Sequence, residues 1–267
     1  MTATANDDAP KAATAARIYD YFLGGTHNFP ADREAAKALI AATPMIPVIA
    51  RTNRAFLRRA VRFMAASGVR HFLDIGSGIP TEGNVHEVAE QAAPGSRVVY
   101  VDVDPVAIAH STALLADKGN AVIVEGDVRE PEKILADDRV SGLIDFSQPA
   151  GLLLVAVLHF ITDAENPARI GATLRDALAP GSYLVLSHGT TEDRPTVARA
   201  AEKVYDQAVA APLRMRSRAE LLPLFEGFEL IEPGLVPIPH WRPEPGDPDA
   251  ADTGRFWGGL AGVAQKR

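Results

Sequence analysis

From residue 69 onward the chain alternates, and that alternation leaves few folds open. Short apolar runs of strand length are each followed by a segment of helical pattern. Residues 69–75, 97–101, 121–124, 152–158 and 182–187 read as strands. Residues 82–92, 105–116, 166–178, 195–209 and 217–225 read as helices, the second with proline in its first turn. The run 152–158 is nearly unbroken in its apolar character, as in a strand covered on both faces. Strands alternating with helices make βαβ units, so the chain is expected to form an α/β, doubly wound, mostly parallel sheet with helices on both sides. Two last strand-like segments, 228–232 and 257–265, are separated by a proline-rich turn region with no crossover helix.

The first 67 residues differ. Residues 1–15 read as frayed. Residues 32–42 are rich in strong helix formers and stop before Pro44, and a longer helix spans about 48–67, ending at Gly68. The chain has 267 residues, enough for one large domain or two small ones, and no cysteine. That excludes a disulfide scaffold, a thiolate nucleophile and a Cys-ligated zinc. A formal net charge of -7 argues against a protein that coats nucleic acid, which needs a surplus of Lys and Arg. The N-terminus carries acids and no apolar run, unlike a signal peptide, and the longest apolar stretch, 151–160, is too short to span a bilayer. A cytoplasmic protein is expected.

The sharpest local motif is His71-Phe-Leu-Asp-Ile-Gly-Ser-Gly-Ile-Pro-Thr81, where an apolar strand runs into Gly76-Ser77-Gly78 and a helix follows. Glycines there let the backbone turn tightly and approach a ligand, which in such a sheet lies at the carboxyl ends of the strands. A tight turn without a ligand is the plain alternative. A dinucleotide fingerprint would carry Gly or Ala where Thr81 stands, and Asp74 and Glu82 flank the loop with carboxylates that repel phosphate. The anions favour a cationic ligand, and S-adenosylmethionine has a sulfonium, an ammonium and no phosphate. The next strand ends Tyr100-Val-Asp-Val-Asp-Pro105, where Asp102 can accept both hydroxyls of a ribose; helix capping is the other reading for Asp102 and, more so, for Asp104. The third ends in Glu125-Gly-Asp-Val-Arg129, where Asp127 can accept an adenine amino group while Val128 supplies its amide, or where Asp127 caps a turn.

These residues resemble a Rossmann-like (class I) S-adenosylmethionine-dependent methyltransferase, and more narrowly a bacterial family of such proteins whose acceptors are largely unassigned. The resemblance runs over nearly the whole chain. It is carried by Ala16-Arg-Ile-Tyr-Asp-Tyr-Phe-Leu-Gly-Gly-Thr-His-Asn-Phe29, Asn53-Arg-Ala-Phe-Leu-Arg-Arg-Ala-Val61, the glycine loop, Tyr100–Pro105, Gly126–Arg129, Ile144–Pro149, Val155-Ala-Val-Leu-His-Phe160 and Ala179-Pro-Gly-Ser-Tyr183. It implies a seven-stranded sheet with an antiparallel last strand, a helical N-terminal extension and cofactor lid over 1–67, and a methyltransferase domain over 68–267. It also implies that Asp74, Gly76 and Gly78 hold the methionine end, that Asp102 meets the ribose, and that Ser77 and Val103 belong to the same cofactor site. Asp127 and Val128 would meet the adenine, Val157 and Leu158 would line the cofactor from below, and Tyr21 and Gly24 would belong to the lid. The expected reaction transfers a methyl group to a small-molecule acceptor. A non-catalytic module that binds the cofactor, or an NAD(P)-dependent oxidoreductase, are the alternatives.

Several further groups have two readings. The segment 17–29 is a lid whose aromatic rings flank a sulfonium, or an N-terminal packing arm; Tyr19 and Tyr21 cannot share a helix face. Arg51, Arg54, Arg58 and Arg62 recur on one helix face, which reads as solvated, with Arg54 the one to test. His159 follows a strand end and is the candidate general base; it and His188 could face one cleft, or pack at the sheet edge. The stretch His240-Trp-Arg242 lies among prolines and reads as a rigid surface loop. Gly-x-Ser-x-Gly and Gly-Lys-Ser/Thr motifs are absent, which removes serine hydrolase and nucleoside triphosphatase readings.

Overall fold

The computed structural model describes residues 12–81, 83–192, 194–209, 211–247 and 258–267. Helices α1 (Ala15–Phe22), α2 (Pro30–Ala42) and α3 (Ile46–Ala66) come first. The alternating part follows: β1 (His71–Ile75), α4 (Val85–Ala92), β2 (Arg97–Asp102), α5 (Pro105–Leu115) and β3 (Ala121–Glu125). Next come α6 (Pro131–Leu135), α7 (Asp138–Leu143), β4 (Ala150–Val155), α8 (Pro167–Asp176) and β5 (Tyr183–Gly189). The chain ends with α9 (Pro195–Ala208), α10 (Arg218–Leu221), β6 (Phe228–Leu230), β7 (Val236–Pro237) and β8 (Gly259–Lys266). Seven strands lie in the order β3-β2-β1-β4-β5-β8-β6, and the two-residue β7 also pairs with β8. The fold is α/β and Rossmann-like. Strands β1 to β5 run parallel, and β8 is antiparallel to both β5 and β6, so the last strand is antiparallel as the resemblance implies.

Both faces of the sheet are buried, and the side-chain period of two divides the strand residues between them. Leu73, Leu152, Leu154, Leu184 and Leu186 join the core with α7 and α8. Phe72, Val98, Leu153 and Val185 join the core under α3 and α4. A third cluster, with Ile18 and Phe22 of α1, Leu39 of α2 and Tyr205 of α9, is separate from both. Helix α3 therefore shares a core with the sheet, while α1, α2 and α9 pack on one another.

Of the boundaries that differ from the sequence expectation, two have a clear local reason. Helix α4 begins at Val85 and not at 82, because Asn84 caps it: its backbone N–H donates to Glu87 Oε2 (2.8 Å) and its Oδ1 accepts from Thr81 N (3.0 Å). Glu82 lies outside the described residues. Strand β4 ends at Val155 and not at 158, because Ala156 takes a left-handed φ of 58° and Leu158–Phe160 form a 3-10 turn. The bend is held by Ala156 N, which donates to Ser187 O (3.1 Å) and Ser187 Oγ (3.0 Å). Strand β8 begins at Gly259, and Trp257 lies outside the described residues. The short helices α6 and α7, with too few residues to show a period, were not expected. Nor is the 240–242 stretch a surface loop throughout: Trp241 is fully buried, edge-on to Phe56 and Phe63.

Candidate cofactor site

The loops after β1, β2, β3 and β4 open on the same edge of the sheet, where the strand order reverses between β1 and β4. Such an edge leaves a crevice in doubly wound sheets. Here it is a cavity of about 520 Å³, walled by these loops and covered by α1, α3 and α9. The size falls within the range of small-molecule sites, about 300–1,000 Å³.

The glycine loop forms the cavity's floor. Gly76 has φ +74°, and a Cβ there would lie 2.6 Å from Val157 Cγ2, so the close approach of the β1 and β4 loops requires glycine. Gly78 has φ +69° with open space where a Cβ would point, and its N–H donates to Asp102 Oδ2 at 2.7 Å. The other oxygen of Asp102 accepts from Asp104 N at 2.9 Å. Burial raises the pKa of Asp102, and these two N–H groups act in the opposite direction. Each Asp102 oxygen has one N–H donor and retains lone-pair capacity, which suits a pair of hydroxyl donors. Asp104 is the N-cap of α5, accepting from Val106 N at 2.8 Å.

Val103, 56% exposed, is an unusual apolar side chain on the surface at the β2 loop; with buried Val128 it gives the cavity an apolar slot. Beside that slot Asp127 accepts from Arg129 N and from Arg129 Nη1, both at 2.9 Å. Asp74 is buried at the opposite end of the floor. Burial pushes its pKa up to about 7, against the pull of Arg54 and with a further push from Asp102.

Two histidines lie beyond the bend after β4, with rings 5.5 Å apart and edge to face. His188 is only 1% exposed, and its Nδ1 lies 2.6 Å from Gly189 O, which can only accept. Its Nε2 lies 2.9 Å from Arg216 Nη1, which can only donate. These partners fix a neutral ring, and burial with Arg216 lowers its pKa to about 4. With both nitrogens engaged, His188 is structural. His159 lines the cavity, and its Nδ1 receives Gly189 N–H at 3.4 Å. Burial, His188 and Arg216 keep the ring uncharged.

Among the expected site residues, Asp74, Gly76, Ser77, Gly78, Asp102, Val103, Asp127, Val128, Val157 and His159 line this one cavity. Leu158 does not: the bend at Ala156 turns it into the sheet core, 1% exposed. Tyr21 and Gly24 also lie outside the wall. On α1, Ile18, Tyr19 and Phe22 share the face toward the cavity, and Tyr21 packs beside α2. Two wall residues from α3, Asn53 and Arg54, were not among the expected site residues. Ser187 Oγ donates to Asn53 Oδ1 (2.7 Å), Asn53 Nδ2 to Tyr19 Oη (3.1 Å), and Tyr19 Oη to Ala50 O (3.0 Å). This chain ties the cover to β5. The arginine row on α3 is correspondingly not one solvated face. Arg51 is exposed and Arg62 pairs with Glu244 (2.5 Å), but Arg54 faces the cavity and Arg58 is half-buried beside Gly83.

No helix among the described residues is long and apolar enough to cross a membrane. No curated protein matches the chain. Among solved structures, a candidate methyltransferase from Thermobifida fusca YX is 41% identical, with 96% of each chain covered and a TM-score of 0.89. A DUF574 family protein from Streptomyces avermitilis MA-4680 is 40% identical, covering 96% of this chain and 98% of its own, with a TM-score of 0.90. The family model for S-adenosyl methyltransferases matches residues 2–267, and the chain belongs to that family.

Proposed function

We propose that the protein binds S-adenosylmethionine in the cavity at the strand ends and transfers its methyl group to a small, uncharged, mainly apolar acceptor held under the helical cover. The carrying observation is the set of acids at three neighbouring strand ends, Asp74, Asp102 and Asp127, in one cavity with Gly76 and Gly78. The donor set fits the group: Asp102 for a vicinal diol, Asp127 with Val128 and Val103 for an adenine, Asp74 for an ammonium. A diphosphate would meet the carboxylates of Asp74 and Asp102 instead of a ring of free amides, which favours this cofactor over NAD(P). When bound, the cofactor supplies a methyl group already activated by a sulfonium.

The chain's residues then align and desolvate the reactants. Toward α2 and α9 the wall is formed by side chains such as Leu39, Ile46, Ala201, Leu213 and Met215, with Tyr205 stacked on Phe160 at 5.5 Å. A charged acceptor would lose its hydration there without gaining an opposite charge, while the unpartnered hydroxyls of Thr43 and Tyr205 can serve a neutral polar group. His159, uncharged and in the cavity wall, is placed to exchange a hydrogen bond with the acceptor.

The test is incubation of the purified protein with S-adenosylmethionine and fractionated cell extract, following release of S-adenosylhomocysteine. Release confined to organic-extractable fractions is expected. Binding of cofactor without release in any fraction would support a non-catalytic module, and binding of NADH in place of S-adenosylmethionine would overturn the assignment.

A further inference from the structure

Resting on that reading, we propose that Arg54 of α3 holds the carboxylate of the cofactor's amino-acid tail while Asp74 takes its ammonium, so that the two side chains form a paired site for a zwitterion. Arg54 lines the same wall as Asp74, Gly76, Ser77 and Gly78. Its Nε is buried and has no hydrogen-bond partner. Its Nη2 reaches Gly83 O only at 3.4 Å, longer than the usual 2.7–3.2 Å of such bonds. Ser77 Oγ, beside it on the glycine loop, is also buried without a partner, as are Thr43 Oγ1 and Tyr205 Oη elsewhere in the wall. Unsatisfied buried donors of this kind are uncommon and call for a ligand group.

Arg54 as a whole is half-buried, and the fully buried arginines of this fold are answered by carboxylates: Arg17 by Asp32 at 3.0 Å, Arg59 by Asp247 at 2.6 Å and Arg216 by Asp163 at 2.7 Å. Among the described residues Arg54 has no ion pair, yet its charge acts on Asp74 through space. A cation and a carboxylate that sense each other across a cavity without touching complement the two ends of an amino acid. The planar guanidinium suits a carboxylate in particular.

Calorimetry with three ligands tests this. S-adenosylmethionine carries both tail charges, its decarboxylated form keeps the ammonium and sulfonium only, and 5′-methylthioadenosine has no tail. The wild-type protein is expected to prefer the intact cofactor over the decarboxylated form by about tenfold or more, as for a charge-assisted contact. Arg54→Ala should erase that preference by weakening the intact cofactor alone, and Arg54→Lys should restore part of it. Unchanged 5′-methylthioadenosine affinity reports an intact fold; if the alanine variant loses it, Arg54→Gln takes its place. Equal weakening of both charged ligands would mean that Arg54 only tunes Asp74, and would overturn the proposal, as would no effect. A wild-type protein that binds none of the three would defeat the cofactor reading itself. One that binds them without preference would defeat only the role of Arg54.

Discussion

Asp74 allows the tension between folding and ligand binding to be measured. Its carboxyl is 4% exposed and has a pKa of about 7, against an ordinary value of 3.8. The folded protein therefore binds this proton more tightly than the unfolded chain does. The associated stability is fully present below about pH 4 and is lost as pH rises through about 7. At about 1.4 kcal/mol per pH unit, the ionised carboxylate destabilises the fold by about 4 kcal/mol at pH 8. The charged groups that act on it are Arg54, which offsets part of this, and Asp102, which adds to it.

Asp74→Asn keeps the shape and removes the titration. The variant is expected to match the wild type near pH 4 and to exceed it by up to about 4 kcal/mol at pH 8, most of the gain appearing between pH 5 and 7. Urea denaturation at closely spaced pH values measures it, provided the m-values agree. His71, His86, His159 and His188 also titrate abnormally, but they are common to both proteins and cancel in the difference. A stability difference independent of pH would refute the reasoning. The same variant should bind S-adenosylhomocysteine far more weakly, since the buried charge that strains the fold is the one an ammonium would neutralise.

Asp102→Ala should abolish S-adenosylhomocysteine binding while the far-UV circular dichroism stays native; undiminished affinity by calorimetry would reject the ribose role. Gly76→Ala adds a Cβ 2.6 Å from Val157 at φ +74° and should lower stability by about 2–4 kcal/mol in chemical denaturation. Arg59 donates to Trp241 O (2.9 Å) and Ile238 O (3.2 Å) besides pairing with Asp247. Arg59→Ala should therefore destabilise by about 3–5 kcal/mol, read by thermal unfolding, because it leaves the Asp247 carboxylate without its cation and two carbonyls without their donor.

The strand-to-helix alternation and the acids at the strand ends were legible because they depend on local chemistry. A buried parallel strand needs an apolar run, a left-handed turn against a neighbouring loop needs glycine, and an acid beside it needs only the next residues to be placed. Thus the sequence alone assigns Asp74, Gly76, Gly78, Asp102 and Asp127 to one edge. Leu158 was misplaced because a single left-handed residue, Ala156, redirects the chain, and the groups holding that bend come from Ser187 on another strand. Tyr21 fell outside the wall because the phase of α1 is set by its packing on α2, which the sequence of α1 does not encode, and Gly24 lies in the turn that follows the helix.

By itself, then, the sequence determined the sheet, its ligand edge and the acidic character of that edge, since each follows from residues near one another in the chain. Only the tertiary structure decided that Arg54 turns inward and that His188 is satisfied on both nitrogens by Gly189 and Arg216. The same holds for the apolar chamber that α2 and α9 close over the strand ends. These outcomes depend on packing between segments far apart in sequence, where periodicity carries no information.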